Sequence, residues 1–166
     1  TISGYEINVS CPNVKKGGMQ FGVDPKLTEQ LTRALRDKTD KVLILKLSPN
    51  VTKIEDIAQA AVAGGADMIS AINTVVGMGI DIATRRPSLN TVFGGLSGPA
   101  IKPIALANVH KIYKSVSVPI IGIGGISSAK DVIEFMLAGA DLVQVGTSNF
   151  INPAIGINII SELKSY

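Results

Sequence analysis

The sequence Val42-Leu-Ile-Leu-Lys-Leu47 decides the fold of this chain. It has the length of a strand, and all its residues except the lysine are apolar. Near-continuous apolar runs of this length are typical of strands that are buried on both faces of a parallel sheet. Lys46 interrupts the run close to its carboxyl end, and Ser48-Pro49-Asn50 follows. The stretch therefore predicts a parallel strand that carries one cation near the point where it opens into a loop.

A helix is predicted on each side of this strand. Before it, Asp24-Pro25 is typical of a helix start, with Asp as the N-cap and Pro at the first helical position. After the strand, Thr52-Lys-Ile-Glu55 predicts a capping box, and Gly64-Gly65 predicts the end of the second helix. The first helix should turn one apolar stripe inward, made of Leu27, Leu31, Ala34 and Leu35.

The same alternation recurs along the chain. Ala63-Gly-Gly-Ala-Asp67 and Leu137-Ala-Gly-Ala-Asp141 each lead from a predicted helix into an apolar strand, as repeated βα units do. Five strands, each followed by a helix, are predicted in all, which implies a parallel sheet with right-handed crossovers. Residues 77–101 interrupt the rhythm with glycines around two β-prone segments, 80–84 and 90–93, and predict a β-hairpin excursion.

The first strand runs into the only cysteine of the chain, in Tyr5-Glu-Ile-Asn-Val-Ser-Cys-Pro-Asn13. Polar and apolar residues alternate along it, and Pro12 ends it because proline has no N–H to donate. Cys11 is therefore expected where the strand opens into a loop, between the amides of Asn8 and Asn13. A thiol in such surroundings suits proton transfer or nucleophilic attack, and the alternative for a lone cysteine is a small buried hydrophobe.

The candidate functional groups all follow predicted strands. They are Cys11, Lys46, Asn73, Gly124-Gly125 and Gly146-Thr147. Clustering at the carboxyl ends of the strands is typical of a (β/α)8 TIM barrel. A doubly wound sheet also binds ligands at this edge, but it would carry a nucleotide fingerprint after its first strand, and this sequence has none there.

The glycine turns after the last two predicted strands indicate a phosphate-bearing ligand. Glycines let backbone N–H groups approach an anion closely, and the amino terminus of the next helix adds partial positive charge. Lys46 could place a cation beside a flavin ring, which gains negative charge on reduction. The competing role for a barrel lysine is a Schiff base with a phosphosugar.

Composition excludes several other functions. Hydrophobic residues make up 46% of the chain and charged residues 17%, which excludes disorder. Aromatic residues are 4% and Trp is absent, which argues against stacking on nucleic acid. The net charge of +3 is scattered along the chain. No apolar run is long enough for a membrane span, and a single cysteine is consistent with a reducing compartment, so we expect a cytoplasmic protein.

Six motifs, in order along the chain, resemble the dihydroorotate dehydrogenase family of flavoenzymes, which implies an FMN-binding TIM barrel. The motifs are Asn8-Val-Ser-Cys-Pro-Asn13, Lys46-Leu-Ser-Pro-Asn50, Ile72-Asn-Thr74, Gly94-Gly-Leu-Ser-Gly-Pro99, Gly122-Ile-Gly-Gly125 and Val145-Gly-Thr147. The cysteine in the first motif resembles class 1 of the family, since the membrane-associated class has a serine as the base. Residues 12–18 with Arg85-Arg86-Pro87 most resemble the NAD-linked 1B subtype, whose FMN subunit pairs with a subunit that carries FAD and a [2Fe–2S] cluster.

The resemblance implies a role for each matching residue. Cys11 would remove a proton from C5 of dihydroorotate while a hydride leaves C6 for FMN, which gives orotate for pyrimidine biosynthesis. The substrate would be held by Asn8, Asn13, Asn73 and Thr74. The cofactor would be held by Asn8, Lys46, Ile72, Ser97, Gly98, Gly124, Gly125, Gly146 and Thr147. No metal site is expected, and the assembly would be a homodimer or a heterotetramer with the iron–sulfur FAD subunit.

The chain offers about five of the eight βα units of a barrel, so residues 1–166 are expected to be the C-terminal part of one FMN-binding domain. On its own, this polypeptide is expected to bind FMN poorly. Three alternatives stay open: the flavin domain of dihydropyrimidine dehydrogenase, a phosphosugar lyase or isomerase that uses Lys46, and a non-catalytic fragment. Asn13, where the first of these has a histidine, favours dihydroorotate. The final electron acceptor, NAD through a partner or fumarate, stays open too.

Overall fold

The computed structural model describes residues 2–10 and 21–166, which form strands alternating with helices. The strands are β1 (Gly4–Asn8), β2 (Val42–Leu47), β3 (Met68–Ala71), β4 (Val75–Gly77), β5 (Ile80–Asp81), β6 (Arg86–Pro87), β7 (Gly94–Leu96), β8 (Ile120–Ile123) and β9 (Leu142–Gln144). The helices are α1 (Pro25–Arg36), α2 (Ile54–Ala63), α3 (Lys102–Tyr113), α4 (Ala129–Ala138), α5 (Ser148–Ile151) and α6 (Ile155–Leu163), and a 3-10 turn, Pro99–Ile101, leads into α3.

The central sheet has five parallel strands in the order β1-β2-β3-β8-β9, so the order in space is the order along the chain. The first four helices pack against one another in order, α1 on α2, α2 on α3 and α3 on α4. A doubly wound sheet would reverse its strand order and place helices on both faces. The predicted α/β fold with five βα units of a TIM barrel is therefore confirmed.

Alternation along β2 shows how the sheet is buried. Leu43, Leu45 and Leu47 are at most 1% exposed and belong to the core that the sheet forms with its helices. Ile44 and Lys46 point to the opposite face and are only half-buried. The prediction that this strand is buried on both faces is therefore wrong, because the inner face of the curved sheet borders a cavity that Lys46 lines.

The two Ala-Asp sequences have the same structural role. Asp67 donates its N–H to the carbonyl of Leu43 at 2.9 Å, and its Oδ2 accepts the N–H of Leu43 at 2.8 Å. Asp141 makes the same two bonds with Ile120, both at 2.8 Å. Each joint thus ties the start of one strand to its neighbour at the amino-terminal edge of the sheet, which explains the repeat without a function in binding.

Of the two helix starts predicted above, one is confirmed. Asp24 caps α1 by accepting the N–H of Leu27 at 3.0 Å, and Ser128 caps α4. The predicted capping box of α2 is wrong: the helix begins at Ile54, Lys53 is the N-cap, and no side chain caps it.

The stripe predicted for α1 is wrong in part. Ala34 is exposed, whereas Thr28 and Thr32 are fully buried where α1 approaches α2. Their hydroxyl groups are satisfied by the carbonyls of Asp24 and Thr28 at 2.9 and 2.7 Å. Because a threonine can bond the carbonyl four residues earlier, it can be buried in a helix without an unpaired hydroxyl.

Residues 75–96 leave the barrel wall as two antiparallel pairs, β4 with β7 and β5 with β6. The prediction of a strand at 90–93 is wrong, because these residues form turns in which Val92 donates its N–H to Leu89 at 3.0 Å and has a φ of 67°. The returning strand begins at Gly94 instead.

In the two described ranges, no helix is both long and apolar enough to cross a membrane. The same ranges contain no group of three or more His, Cys, Asp or Glu residues that could hold a metal ion.

Candidate active site at the carboxyl edge of the sheet

Most of the predicted site residues lie at or just beyond the carboxyl ends of the five parallel strands, so the sheet brings them to one edge, whereas Ser97 and Gly98 follow β7 of an antiparallel pair. Cys11 and Asn13 lie outside the described residues. The positions on either side of their segment, Ser10 and Phe21, are described, and Ser10 lies at the end of the strand with Asn8.

Asn8, Ser10, Asn73 and Thr74 form one polar cluster at this edge. Asn73 donates through Nδ2 to Asn8 Oδ1 at 2.9 Å and to Ser10 Oγ at 2.6 Å. Ser10 in turn donates to Asn8 Oδ1 at 3.0 Å, and the N–H of Thr74 donates to Asn73 Oδ1 at 2.7 Å. The ends of β1 and β3 therefore meet across β2, and the residue next to Cys11 contacts an asparagine predicted to bind substrate.

Next to this cluster is a cavity of about 340 Å³. Eight of the nine residues predicted to bind the cofactor line it: Lys46, Ile72, Ser97, Gly98, Gly124, Gly125, Gly146 and Thr147. Asn73 and Thr74 line it as well, whereas Asn8 reaches it only through its bond to Asn73. A volume of this size lies within the range of small-molecule sites, about 300–1,000 Å³.

Three loops form the far rim of this cavity. Gly125 has a φ of 73°, and a Cβ on it would lie 2.8 Å from the carbonyl oxygen of Gly98, so these two loops touch. Thr147 Oγ1 donates to Ser97 Oγ at 2.9 Å, which joins the loop after β9 to the loop that contains Gly98. Within residues 2–10 and 21–166, the N–H groups of Gly125, Gly146 and Thr147 make no backbone hydrogen bond outside the regular helices and strands. Unpaired N–H groups around a concavity are suited to binding an anion.

A carboxylate under the Gly124–Gly125 loop holds it in place. Asp131, on α4, accepts the N–H and hydroxyl of Ser127 at 2.8 and 3.0 Å and the hydroxyl of Ser128 at 3.0 Å. Lys102, on α3, donates to Asp131 at 2.6 Å and to Glu134 at 2.8 Å. The N–H of Ser127 is thereby paired within the protein and is not available to a ligand.

The contacts of Asp131 also set its charge. Burial alone would raise its pKa, but the hydrogen bonds from Lys102, Ser127 and Ser128 outweigh burial and lower the pKa from 3.8 to about 2. Lys102 gains from the same contact, since hydrogen bonds to Asp131 and Glu134 raise its pKa. This carboxylate is therefore ionised at any pH near neutral.

Lys46 also lines the cavity, and it pairs with Glu6, which in turn is bonded to Gln144; sequence reasoning missed both of these residues. Its Nζ is 3.2 Å from Glu6 Oε1, and Gln144 Nε2 donates to Glu6 Oε2 at 2.7 Å. Glu6 is on β1 and Gln144 on β9, the two edge strands of the sheet. The only signal in the sequence was that Glu6 lies on the same face of its strand as Asn8.

A second cavity, of about 440 Å³, lies under β4 and β7. Its lining includes Ser10, Asn50, Val76 and Gly95, and Thr74 lines both cavities, which are therefore adjacent. Asn50 joins the two sides, since it donates to the carbonyl of Thr74 at 3.0 Å and accepts the N–H of Val76 at 2.9 Å.

Comparison with known proteins identifies similar chains. The family model described as dihydroorotate dehydrogenase matches residues 2–166. The chain is 54% identical over 165 residues to the dihydroorotate dehydrogenase B (NAD(+)) catalytic subunit of Bacteroides fragilis, covering 99% of this chain and 54% of that protein. It is 56% identical over 161 residues to the subunit of the same name from Alkaliphilus metalliredigens, covering 97% and 53%.

The chain thus spans about half the length of the curated relatives it matches. Its backbone is similar to the crystal structure of DHODH from Eimeria tenella in complex with ferulenol, with a TM-score of 0.80 and 26% identity, over 97% of this chain and 49% of that one. The likeness extends over nearly the whole chain.

Proposed function

Because this chain belongs to the dihydroorotate dehydrogenase family, we propose that it forms the FMN- and substrate-binding face of an enzyme that oxidises dihydroorotate to orotate. The observation that carries the proposal is one cavity bordered by one lysine, three hydroxyl groups and three unpaired loop N–H groups, with a cluster of amides beside it. We also infer that residues 1–166 belong to one barrel domain, from which residues 77–101 form an excursion.

The residues around the cavity fit FMN. The N–H groups of Gly125, Gly146 and Thr147 are suited to the phosphate, with Ser97 beside them. Lys46, which lines the same cavity, is suited to a ring that becomes more negative on reduction. When bound, FMN supplies the two-electron acceptor that takes the hydride from C6 of dihydroorotate.

The remaining steps fall to side chains of this chain. Cys11, as a thiolate, takes the proton from C5, and the C5–C6 double bond forms as the hydride leaves C6. A free cysteine has a pKa of about 8.5, so proton removal near neutral pH requires an environment that favours the thiolate. Asn73 orients the pyrimidine; its N–H groups are bonded to Asn8 and Ser10, and its side-chain oxygen, which already accepts the N–H of Thr74, has a second lone pair for a ring N–H of the substrate.

The phosphosugar alternative is less well supported. A Schiff-base lysine must be a neutral amine to attack a carbonyl. Lys46 instead lies 3.2 Å from the carboxylate of Glu6, in an ion pair that would have to be broken before its amine could attack a carbonyl. The amide cluster beside the cavity would also have no task in that chemistry.

We propose NAD as the final acceptor, reached through a partner subunit with FAD and a [2Fe–2S] cluster, in a cytoplasmic homodimer or heterotetramer. Support comes from the relatives in Bacteroides fragilis and Alkaliphilus metalliredigens, whose names specify NAD(+) and a catalytic subunit.

The test uses the intact protein loaded with FMN. Under anaerobic conditions, dihydroorotate should bleach the flavin absorption within the time of mixing, whereas dihydrouracil should not. Cys11→Ala should keep the yellow FMN complex and lose the bleaching, because only the base is removed. A protein that binds no FMN, or that bleaches equally with dihydrouracil, would contradict the proposal. Fumarate and NAD, added in turn to the bleached protein with its copurified partner, distinguish the two acceptors.

A further inference from the structure

We propose that Glu6 is a positioning residue that holds Lys46 at the wall of the cavity and offsets its charge, and that it thereby lowers the reduction potential of bound FMN. The inference rests on the proposed function, since it concerns FMN in this cavity. It assigns a role in setting the FMN potential to Glu6, which belongs neither to the family motifs quoted above nor to the lining of the cavity.

The geometry gives Glu6 two separate tasks. One carboxylate oxygen is 3.2 Å from the ammonium of Lys46, and the other accepts a hydrogen bond from Gln144 at 2.7 Å. Lys46 and Gln144 both line the cavity, whereas Glu6 does not. Glu6 therefore lies behind them, where it can fix Lys46 without contacting a ligand. The side chains of Lys46 and Glu6 are 25% and 24% exposed, so water screens the pair only in part.

Charge makes this pair important for a redox cofactor. Among the described residues that line the cavity, Lys46 is the only one with a charged side chain. A cation favours the reduced cofactor, because reduction adds negative charge to the ring. The carboxylate behind it opposes this effect, and the protein thus sets the potential by the balance of the two charges. Removing the carboxylate leaves the cation uncompensated.

Gln144 completes the arrangement from the far edge of the sheet. Its amide occupies the second oxygen of Glu6, so the carboxylate cannot turn both oxygens to Lys46. β1 and β9 are the edge strands, and a bond between their side chains requires the sheet to curve strongly. The position of Lys46 in the cavity therefore depends on a contact between residues at opposite ends of the chain.

The experiment measures the reduction potential of FMN in the intact protein by equilibration with a reference dye. Glu6→Gln should favour reduced over oxidised FMN by roughly tenfold, which is about 30 mV upward for a two-electron couple. Gln144→Glu, which adds a carboxylate at the same place, should shift the ratio in the opposite direction by a similar factor. Opposite shifts from two neighbouring polar substitutions would not follow from a general loss of structure.

Glu29→Gln is the matched control. Glu29 also pairs with a basic side chain, Arg33 at 2.8 Å, but on the surface of α1. It should leave the potential unchanged. If the unsubstituted protein binds FMN and all variants share its potential, the inference is wrong while the proposed function stands. If Glu6→Gln does not fold, Gln144→Glu alone decides through the sign of its shift. If the intact protein binds no FMN, both proposals are overturned.

Discussion

Replacing Asp131 by Asn should destabilise the protein by about 2 to 3 kcal/mol at neutral pH, because one carboxylate joins α3, α4 and the glycine loop between β8 and α4. The magnitude follows from its pKa: lowering from 3.8 to about 2 corresponds to about 2 kcal/mol of folding free energy. Asn keeps an oxygen for the N–H of Ser127 but loses the ion pair. In the variant, Lys102 still pairs with Glu134 at 2.8 Å. We therefore expect a loss of folding free energy at or below the lower limit of the values for breaking a buried ion pair.

The pH dependence gives the sharper test. Since the pKa is lower in the folded protein, the contribution of Asp131 is fully present above about pH 4 and is lost as the pH falls through about 2. Urea unfolding of the intact protein should therefore show a gap between wild type and Asp131→Asn that is widest at pH 7 and narrows below pH 4.

Asp40→Asn removes an exposed carboxylate without these contacts and should change stability by less than about 0.5 kcal/mol. Equal unfolding midpoints for wild type and Asp131→Asn at pH 7 would refute the reasoning. A difference in unfolding free energy that stays constant down to pH 2 would also refute it, because the effect would then come from altered packing and not from the charge of Asp131.

Three further substitutions test the cavity and the core. Gly125→Ala should weaken FMN binding at least tenfold by fluorescence titration, since φ is 73° and the new Cβ would meet Gly98; Gly156→Ala, whose Cβ would meet nothing within 4 Å, should not. Asn73→Ala should weaken orotate binding roughly tenfold, measured by the orotate-induced spectral change, and leave FMN affinity within twofold. Phe135→Ala removes a fully buried ring packed on Gly122 and should lower the free energy of unfolding by about 3–5 kcal/mol in urea.

The parts that could be predicted from the sequence are those that depend on strand direction. Parallel strands end at a common edge, so Lys46, Asn73, Gly125 and Thr147 could be placed together from their positions after strands. The Glu6–Gln144 bond could not be predicted, because it joins residues 138 positions apart and depends on the curvature of the sheet. The two buried threonines of α1 were missed for another reason. They are buried because α2 packs closely on α1, and the spacing of apolar residues in the sequence contains no information on that distance.

The paired bonds at Asp67 and Asp141 have a consequence for engineering. They hold two of the four strand-to-strand alignments from the amino-terminal edge, and the loops after β8 and β9 project from the opposite edge. Residues 124–125 and 146–147 can therefore be exchanged for residues that recognise a different anion while the strands keep their alignment. Ligand selectivity should accordingly be open to redesign independently of the scaffold, which is a property that parallel barrels exploit in general.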